Sequence, residues 1–468
     1  MNLFANRSGS RSAAALLIQA TVGLCAGTFA AQVLAAPSAT AGAAQAPTAA
    51  APAAPISTNP NCVVEAKPAA NAANMSDSVF YALQKVTELT GQKKYPEALS
   101  KLNDVANKGG DYDKAIVNFN IGILYTEVND YPHAADAFAK ALSYKALPQQ
   151  QTEQLEYNLG QLYVSSNRYD EGIKVLQTYV NEACGTVTPE AHMFLASALA
   201  ERKRYPEALA EVDTVLAKIA EPKESWLQFR LGIEYELKNY KESADTLMKL
   251  IAMAPSKAEY WKQLSGVLLQ MDNNEEATAV LALAERQNLI EKPDDIKNLY
   301  NTYMMIGEPM KAANLINTAI ANNKLPGDEK TLEMVSDAWI NARESDKAED
   351  SLKKLASISD RGEYYFKLGA MYGDQERWKE SKDMIEHALE KGSLKRPGDA
   401  YFRIAVANYG TGDLKGAIAA LQKASTYAES KQQANEWLRT LGTGAAEPPA
   451  ASSSAEPPAN KVAATKKS

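Results

Sequence analysis

The sequence predicts an all-α fold in which about ten similar helix pairs stack into a solenoid. Two observations lead to this prediction. One small residue recurs at intervals of 33 to 38 residues between positions 76 and 441, and apolar residues lie at helical spacing on both sides of it. A helix pair of this length cannot bury its apolar face alone, so the copies have to stack on one another.

The chain begins with a segment typical of a signal peptide. Arg7 and Arg11 precede a mainly apolar stretch, and the residues up to Ala35 provide a cleavage site. We therefore expect residues 1–35 to direct export and to be removed. The alternative is a retained membrane anchor, which the Gln, Thr, Gly and Ala residues within the stretch disfavour.

Two tracts rich in Pro and Ala flank the repeats. Residues 36–75 and 442–468 carry no hydrophobic periodicity, and their composition is typical of extended, disordered segments. We therefore interpret residues 36–75 as a linker, 76–441 as the solenoid and 442–468 as a tail.

Two cysteines remain after the predicted cleavage, Cys62 in the linker and Cys184 within the repeats. In an oxidising compartment they could form an intramolecular disulfide. Two separate thiols, or a link between two molecules, are also compatible with the sequence, because separation along the chain does not fix the geometry of a pair.

The repeat itself is defined by a small residue on the second helix of each pair. Its spacings are 36, 38, 36, 35, 34, 35, 36, 33 and 36 residues. The ten positions are Ala98, Ala134, Gly172, Ala208, Ser243, Ala277, Ala312, Ala348, Ser381 and Ala417.

A glycine on the first helix marks several copies, and a Tyr often precedes the small residue by three positions. A larger side chain at the glycine would push the two helices of a pair apart, at a cost of about 1 to 3 kcal/mol. We therefore expect close helix contacts at Gly122, Gly160, Gly232 and Gly369, and packing roles for Tyr95, Tyr131, Tyr169, Tyr205 and Tyr240.

Composition argues against several functional classes. The net charge of -7 and a pI near 5.4 disfavour nucleic-acid binding, which needs a concentrated basic face. With three His in the chain, there is no HExxH motif, and no phosphate-binding loop, GxGxxG or GxSxG motif is found. We therefore expect a non-catalytic protein without a metal or other cofactor, and no membrane span after signal cleavage.

The order of Leu-Gly, Tyr, Tyr, small residue and Phe or Leu within each copy resembles the tetratricopeptide repeat, over about four-fifths of the chain. The resemblance implies a right-handed α-solenoid and a protein-binding role. In this family the first helix of each pair lines a concave groove that receives a peptide or a partner helix.

A narrower resemblance involves four segments in the second half of the chain. They are similar to secreted tetratricopeptide proteins encoded beside TonB energy-transduction systems of Gram-negative bacteria. This implies a periplasmic accessory of a TonB-dependent outer-membrane transport system, with TonB, ExbB or ExbD-type components or TonB-dependent receptors as partners. The segments are residues 258–266, 284–289, 390–398 and 436–439.

The resemblance also implies a set of groove residues. The aromatic rings and Met side chains would provide contact area, while the amide and charged groups would bind an extended backbone. Carried over copy by copy, the groove residues are Phe119, Tyr157, Trp226, Phe229, Lys262, Lys297, Asn301, Met304, Phe366 and Phe402.

Further residues give this face an acidic character, which suits a basic or Pro/Lys-rich partner segment. For any one acid, the alternative is a solvated helix face. Another interpretation of the whole protein is a periplasmic adaptor in cell-wall synthesis or outer-membrane assembly. The acidic residues are Glu127, Glu201, Glu236, Glu333 and Asp337.

Overall fold

The computed structural model describes residues 75–442, and all 21 regular elements in this range are α-helices. The all-α solenoid prediction is confirmed. The predicted signal peptide, Cys62 and nearly all of the predicted linker and tail lie outside the described residues. Within residues 75–442, no helix has the combined length and hydrophobicity that crossing a membrane requires.

The helices belong to two compact units, which meet in the sequence between Asp272 and Asn273. In unit 1, each helix packs against the next helix along the chain. Its eleven helices are α1 (Asp77–Gly91), α2 (Tyr95–Asn103), α3 (Asp111–Glu127), α4 (Tyr131–Ser143), α5 (Gln149–Ser165), α6 (Tyr169–Glu182), α7 (Pro189–Glu201), α8 (Tyr205–Leu216), α9 (Glu224–Glu236), α10 (Tyr240–Met253) and α11 (Ala258–Gln270).

Unit 2 follows the same scheme, with consecutive helices in contact. Its ten helices are α12 (Asn274–Arg286), α13 (Pro293–Met305), α14 (Pro309–Ala321), α15 (Glu329–Asn341), α16 (Ser345–Ile358), α17 (Glu363–Asp374), α18 (Trp378–Lys391), α19 (Pro397–Gly410), α20 (Leu414–Ala424) and α21 (Lys431–Gly442).

The ten small residues chosen from the sequence have one structural role. Each is the fourth residue of a second helix, from Ala98 in α2 to Ala417 in α20, and all ten are buried. The sequence period therefore corresponds to one helix pair, as predicted.

The close helix contacts predicted at glycines are confirmed for three of them. A Cβ atom on Gly122 would lie 2.3 Å from the ring of Phe138 in α4. The equivalent atoms would lie 2.5 Å from Leu176 for Gly160 and 2.5 Å from Ile385 for Gly369. Real Cβ atoms do not approach other atoms this closely, so a larger residue would force the neighbouring side chain or the helix to shift.

A left-handed residue precedes every second helix by two positions. Eight of these ten residues are not glycine, although this conformation costs an L-residue roughly 1 kcal/mol or more. The residues are Lys93, Asn129, Asn167, Lys203, Lys238, Asp272, Gly307, Arg343, Glu376 and Gly412, with φ between 57° and 83°.

The last helix within residues 75–442, α21, packs on α20. Its Trp437 is 1% exposed, and the indole lies 5.5 Å from the Phe402 ring and 5.7 Å from the Tyr409 ring, measured between ring centroids. The helix therefore covers apolar side chains of the tenth pair that would otherwise face water.

Candidate interaction surface

Two of the predicted groove residues, Trp226 and Phe229, belong to the core of unit 1. They are 5% and 2% exposed, so their prediction as groove residues is corrected. The backbone N–H of Asn239 donates to the backbone carbonyl of Glu234. This bond shows that the repeat positions on α9 lie one residue away from where a count from Gly232 places them. Because one residue turns a helix by 100°, this shift moves both rings from the face to the interior.

Phe402 is corrected for a different reason. It lies on the first helix of the tenth pair, where the repeat pattern places a groove residue, but it is 6% exposed. The indole of Trp437 from α21 packs against it. The ring is therefore part of the core between α19 and α21.

Phe119 and Tyr157 are half-buried on the first helices of consecutive pairs in unit 1. The Tyr157 ring stacks on Tyr179 at 5.5 Å and meets the edge of Phe194 at 6.3 Å, and the Phe119 ring lies 5.9 Å from that of Phe138. These contacts hold each ring in place while part of its surface stays accessible.

Amide side chains lie on the same helix as Tyr157. The side chain of Gln154 is exposed, and its Nε2 donates to Oδ1 of Asn158 at 3.1 Å. Asn158 and Gln161 are half-buried. The surface around Tyr157 thus combines an anchored aromatic ring with amide groups that can bind a peptide backbone.

The other predicted groove residues do not form one cluster in a single unit. Lys262 lies in unit 1, half-buried, with its Nζ 3.1 Å from a carboxylate oxygen of Glu259. The rest lie on first helices of unit 2, where Lys297, Met304 and Phe366 are half-buried and Asn301 is exposed.

Two of the predicted acidic residues carry ion pairs in unit 2. Lys367 Nζ lies 2.9 Å from Asp337 and 3.9 Å from Glu333, and Arg361 lies 3.8 Å from Glu333. These pairs lower the negative charge of α15. In unit 1, by contrast, the side chains of Glu127 and Glu236 are exposed at the ends of α3 and α9.

The sequence analysis missed a link between consecutive repeats. Glu329, at the start of α15, accepts a hydrogen bond from the Tyr364 hydroxyl at 3.0 Å and forms an ion pair with Arg361, whose guanidinium lies 4.6 Å from the Tyr364 ring. Glu329 precedes Arg361 by nearly one repeat length, so this spacing of an acid and a base in the sequence could have indicated the link. The same link in unit 1 joins Glu224, Lys257 and Tyr260.

A second missed cluster surrounds Glu349 of α16. Its carboxylate accepts from Arg377 at 2.7 Å, from Lys353 at 2.6 Å and from the Tyr372 hydroxyl at 2.9 Å. The hydrogen bond from Arg377, helped by those from Lys353 and Tyr372, lowers the pKa of Glu349 to about 2. The cluster joins α16 to α17 and to the turn before α18.

Cys184 follows α6 in a loop that is anchored to α5. The backbone N–H groups of Cys184 and Gly185 donate to the Glu153 carboxylate at 2.7 and 3.2 Å. Cys184 is disulfide-bonded, and the second cysteine of that bond lies outside the described residues. Cys62 also lies there, so its pairing with Cys184 stays a prediction.

Each of the three histidines pairs with a carboxylate. The most buried of them is His192 of α7, whose Nδ1 lies 2.7 Å from Glu211. Across residues 75–442, no three His, Cys, Asp or Glu side chains come together as metal ligands would. The other two pairs are His133 with Asp130 and His387 with Glu390.

A family model described as tetratricopeptide repeat matches residues 157–222 and 366–432. The chain contains tetratricopeptide repeats. A curated relative, the TPR repeat-containing protein MJ1428 of Methanocaldococcus jannaschii, is 27% identical over 205 residues. This match covers 43% of the present chain and 32% of the relative, so the chain spans about a third of that protein's length.

Several solved structures of tetratricopeptide proteins are also similar. A protein from Parabacteroides merdae is 14% identical, covering 55% of this chain and 99% of that one, with a TM-score of 0.30. YrrB, described as having an unusual peptide-binding site, is 15% identical, covering 42% of this chain and 99% of that one, with a TM-score of 0.32. At these TM-scores the likenesses add nothing about how the repeats are arranged.

Proposed function

We propose that this tetratricopeptide-repeat protein is a non-catalytic scaffold that binds an extended segment of a partner protein on the first helices of unit 1. The observation behind this proposal is the surface around Tyr157. Its ring is held by Tyr179 and Phe194 yet is only partly buried, beside Gln154 and Asn158. Anchored aromatic rings with adjacent amides are typical of surfaces that bind proteins.

The charge of unit 1 supports a basic partner segment. Glu127 and Glu236 are exposed at the C-terminal ends of first helices, where the helix dipole adds further negative potential. A segment rich in Lys and Pro would bring opposite charge, and its extended form leaves backbone groups free for the amides.

We further propose that the protein works in the periplasm as an accessory of a TonB-dependent transport system. The signal-peptide pattern of residues 1–35 supports export. The disulfide-bonded state of Cys184 supports an oxidising compartment. The choice of TonB, ExbB or ExbD-type components, or TonB-dependent receptors, as partners rests on the sequence resemblance described above.

The test is site-specific photo-crosslinking in living cells, with the crosslinker placed at Tyr157 and, separately, at Gln154. Lys174 is the matched control, because it is exposed in the same repeat but lies on the second helix, α6. We expect adducts with a TonB-system component from the first two positions and none from the control.

Recovery of cell-wall synthases or outer-membrane assembly factors from Tyr157 would instead assign the protein to those processes and keep the binding surface. Equal labelling from all three positions, or none from Tyr157 and Gln154, would contradict the proposed surface. A Gln154→Ala variant provides a second measurement, since it removes an exposed amide without touching the core and should weaken partner capture while the far-ultraviolet circular dichroism stays helical.

A further inference from the structure

Glu234 of α9 is a carboxyl group completely enclosed in unit 1. Its exposure is 0%, and neither carboxyl oxygen has a hydrogen-bond partner of normal geometry. Its backbone carbonyl accepts a hydrogen bond from the backbone N–H of the residue just before the second helix. Tyr163 occupies the equivalent position in the third pair. A buried polar group without a partner costs about 1 to 3 kcal/mol, and an ionised one costs more.

One guanidinium lies beside this carboxyl, and it is shared. Arg230 Nη2 lies 3.3 Å from Glu234. Its Nε donates to Asp213 of α8 at 3.0 Å, and its Nη1 donates to the Thr246 hydroxyl of α10 at 3.0 Å. Glu242 of α10 adds a further negative charge. Arg230 therefore contacts carboxyl groups of α8 and α9 and a hydroxyl group of α10.

The net charge of this cluster depends on the protonation state of Glu234. Arg230 and ionised Asp213 together are neutral, so an ionised Glu234 would leave an excess negative charge in an enclosed site. The pKa of Glu234 is raised, chiefly because burial removes the carboxylate from water, and the charges of Asp213 and Glu242 act in the same direction. Thr246 and Arg230 oppose this effect without cancelling it.

We propose that Glu234 is a pH-responsive latch between α9 and α10. The carboxyl is uncharged in the closed fifth pair. When its proton passes to water at higher pH, the resulting carboxylate needs hydration, and the contact between α9 and α10 opens to provide it. Because the folded state holds the proton more tightly than the unfolded chain does, closure is favoured at low pH and is lost as the pH rises through the raised pKa.

The experiment is hydrogen exchange with mass spectrometry on the full, oxidised protein at pH 5.5 and pH 8, normalised for intrinsic exchange rates. In the parent, we expect peptides from residues 224–253 to be less protected at pH 8 than at pH 5.5, because the folded state holds the proton of Glu234 more tightly than the unfolded chain does. Glu234→Gln, which mimics the protonated form, should remove this difference. Glu236→Gln is the matched control on the same helix, since Glu236 is exposed, and should keep it.

Two results would overturn the proposal. Faster exchange in Glu234→Gln at both pH values would show that Glu234 is an ionised partner of Arg230. A pH difference that persists in Glu234→Gln would assign it to another group. If that variant fails to fold, infrared difference spectra of the parent decide the matter. The latch is supported by a protonated-carboxyl band that is present at pH 5.5, disappears at pH 8 and is missing in a Glu234→Leu variant. The absence of such a band in the parent contradicts the latch.

Discussion

The cluster around Glu349 offers the sharpest test of how charge stabilises unit 2. The change is Glu349→Gln, which keeps the size of the side chain and removes its charge. A pKa of about 2 in place of an ordinary 4.5 corresponds to at most about 3 kcal/mol. Solvent screening reduces this value, because the side chain is 15% exposed, and we expect a loss of about 1 to 2 kcal/mol.

The sign of the pH dependence follows from the lowered pKa of Glu349. Its stabilising effect is complete above pH about 4.5 and is lost as the pH falls through about 2. The deficit of Glu349→Gln relative to the parent should therefore shrink to about 40% of its neutral value at pH 3. Urea unfolding followed by circular dichroism at pH 7 and pH 3 measures this deficit, and hydrogen exchange locates it to α16, α17 and α18.

Glu380 is the matched control for this test. It also binds Arg377, at 2.5 Å, but its side chain is 50% exposed. Glu380→Gln should destabilise unit 2 less than Glu349→Gln does. Equal losses in the two variants, or a Glu349→Gln deficit that is unchanged at pH 3, would refute the reasoning.

Three further predictions concern backbone and covalent features. Gly122→Ala should lower the free energy of unfolding by about 1 to 3 kcal/mol in urea titrations. Gly266→Ala should not, because no atom lies within 4 Å of the Cβ it would add. Equal effects of the two substitutions would contradict the packing argument. Gly412→Ala places a side chain at φ +83° and should increase hydrogen exchange in α19 and α20, at a cost of about 1 kcal/mol. If Cys62 pairs with Cys184, thiol titration of the denatured mature protein should find two thiols only after reduction, and Cys184→Ser should expose one without it.

The helix pairs could be predicted because their signal repeats. Ala98 and its nine equivalents mark a position that must be small in every copy, and all are buried at the same place in a second helix. Because ten copies carry a small residue at the same position, one irregular copy does not obscure the repeat. The glycine contacts were predictable for the same reason, since Gly122, Gly160 and Gly369 share one position.

The face of a single side chain was harder to predict. Trp226 and Phe229 were misplaced because the fifth pair is one residue short, and the sequence does not show on which side of Gly232 the register changes. Phe402 was misplaced because its neighbour Trp437 lies on α21, outside the repeat pattern. The carboxyl of Glu234 is buried where several other copies carry rings, a choice that depends on Arg230 of α9 and Asp213 of α8 being brought together by the fold.

The left-handed turn residue has a consequence for how the array can change in length. In all ten copies it lies five positions before the small residue, from Lys93 and Ala98 to Gly412 and Ala417. The copies still differ in length by up to five residues, between periods of 33 and 38. All of that variation must fall elsewhere in the copy, so the hairpin turn is an invariant joint. Insertions and deletions of single residues are confined to the remaining segments, whereas whole copies can be gained or lost without altering any joint.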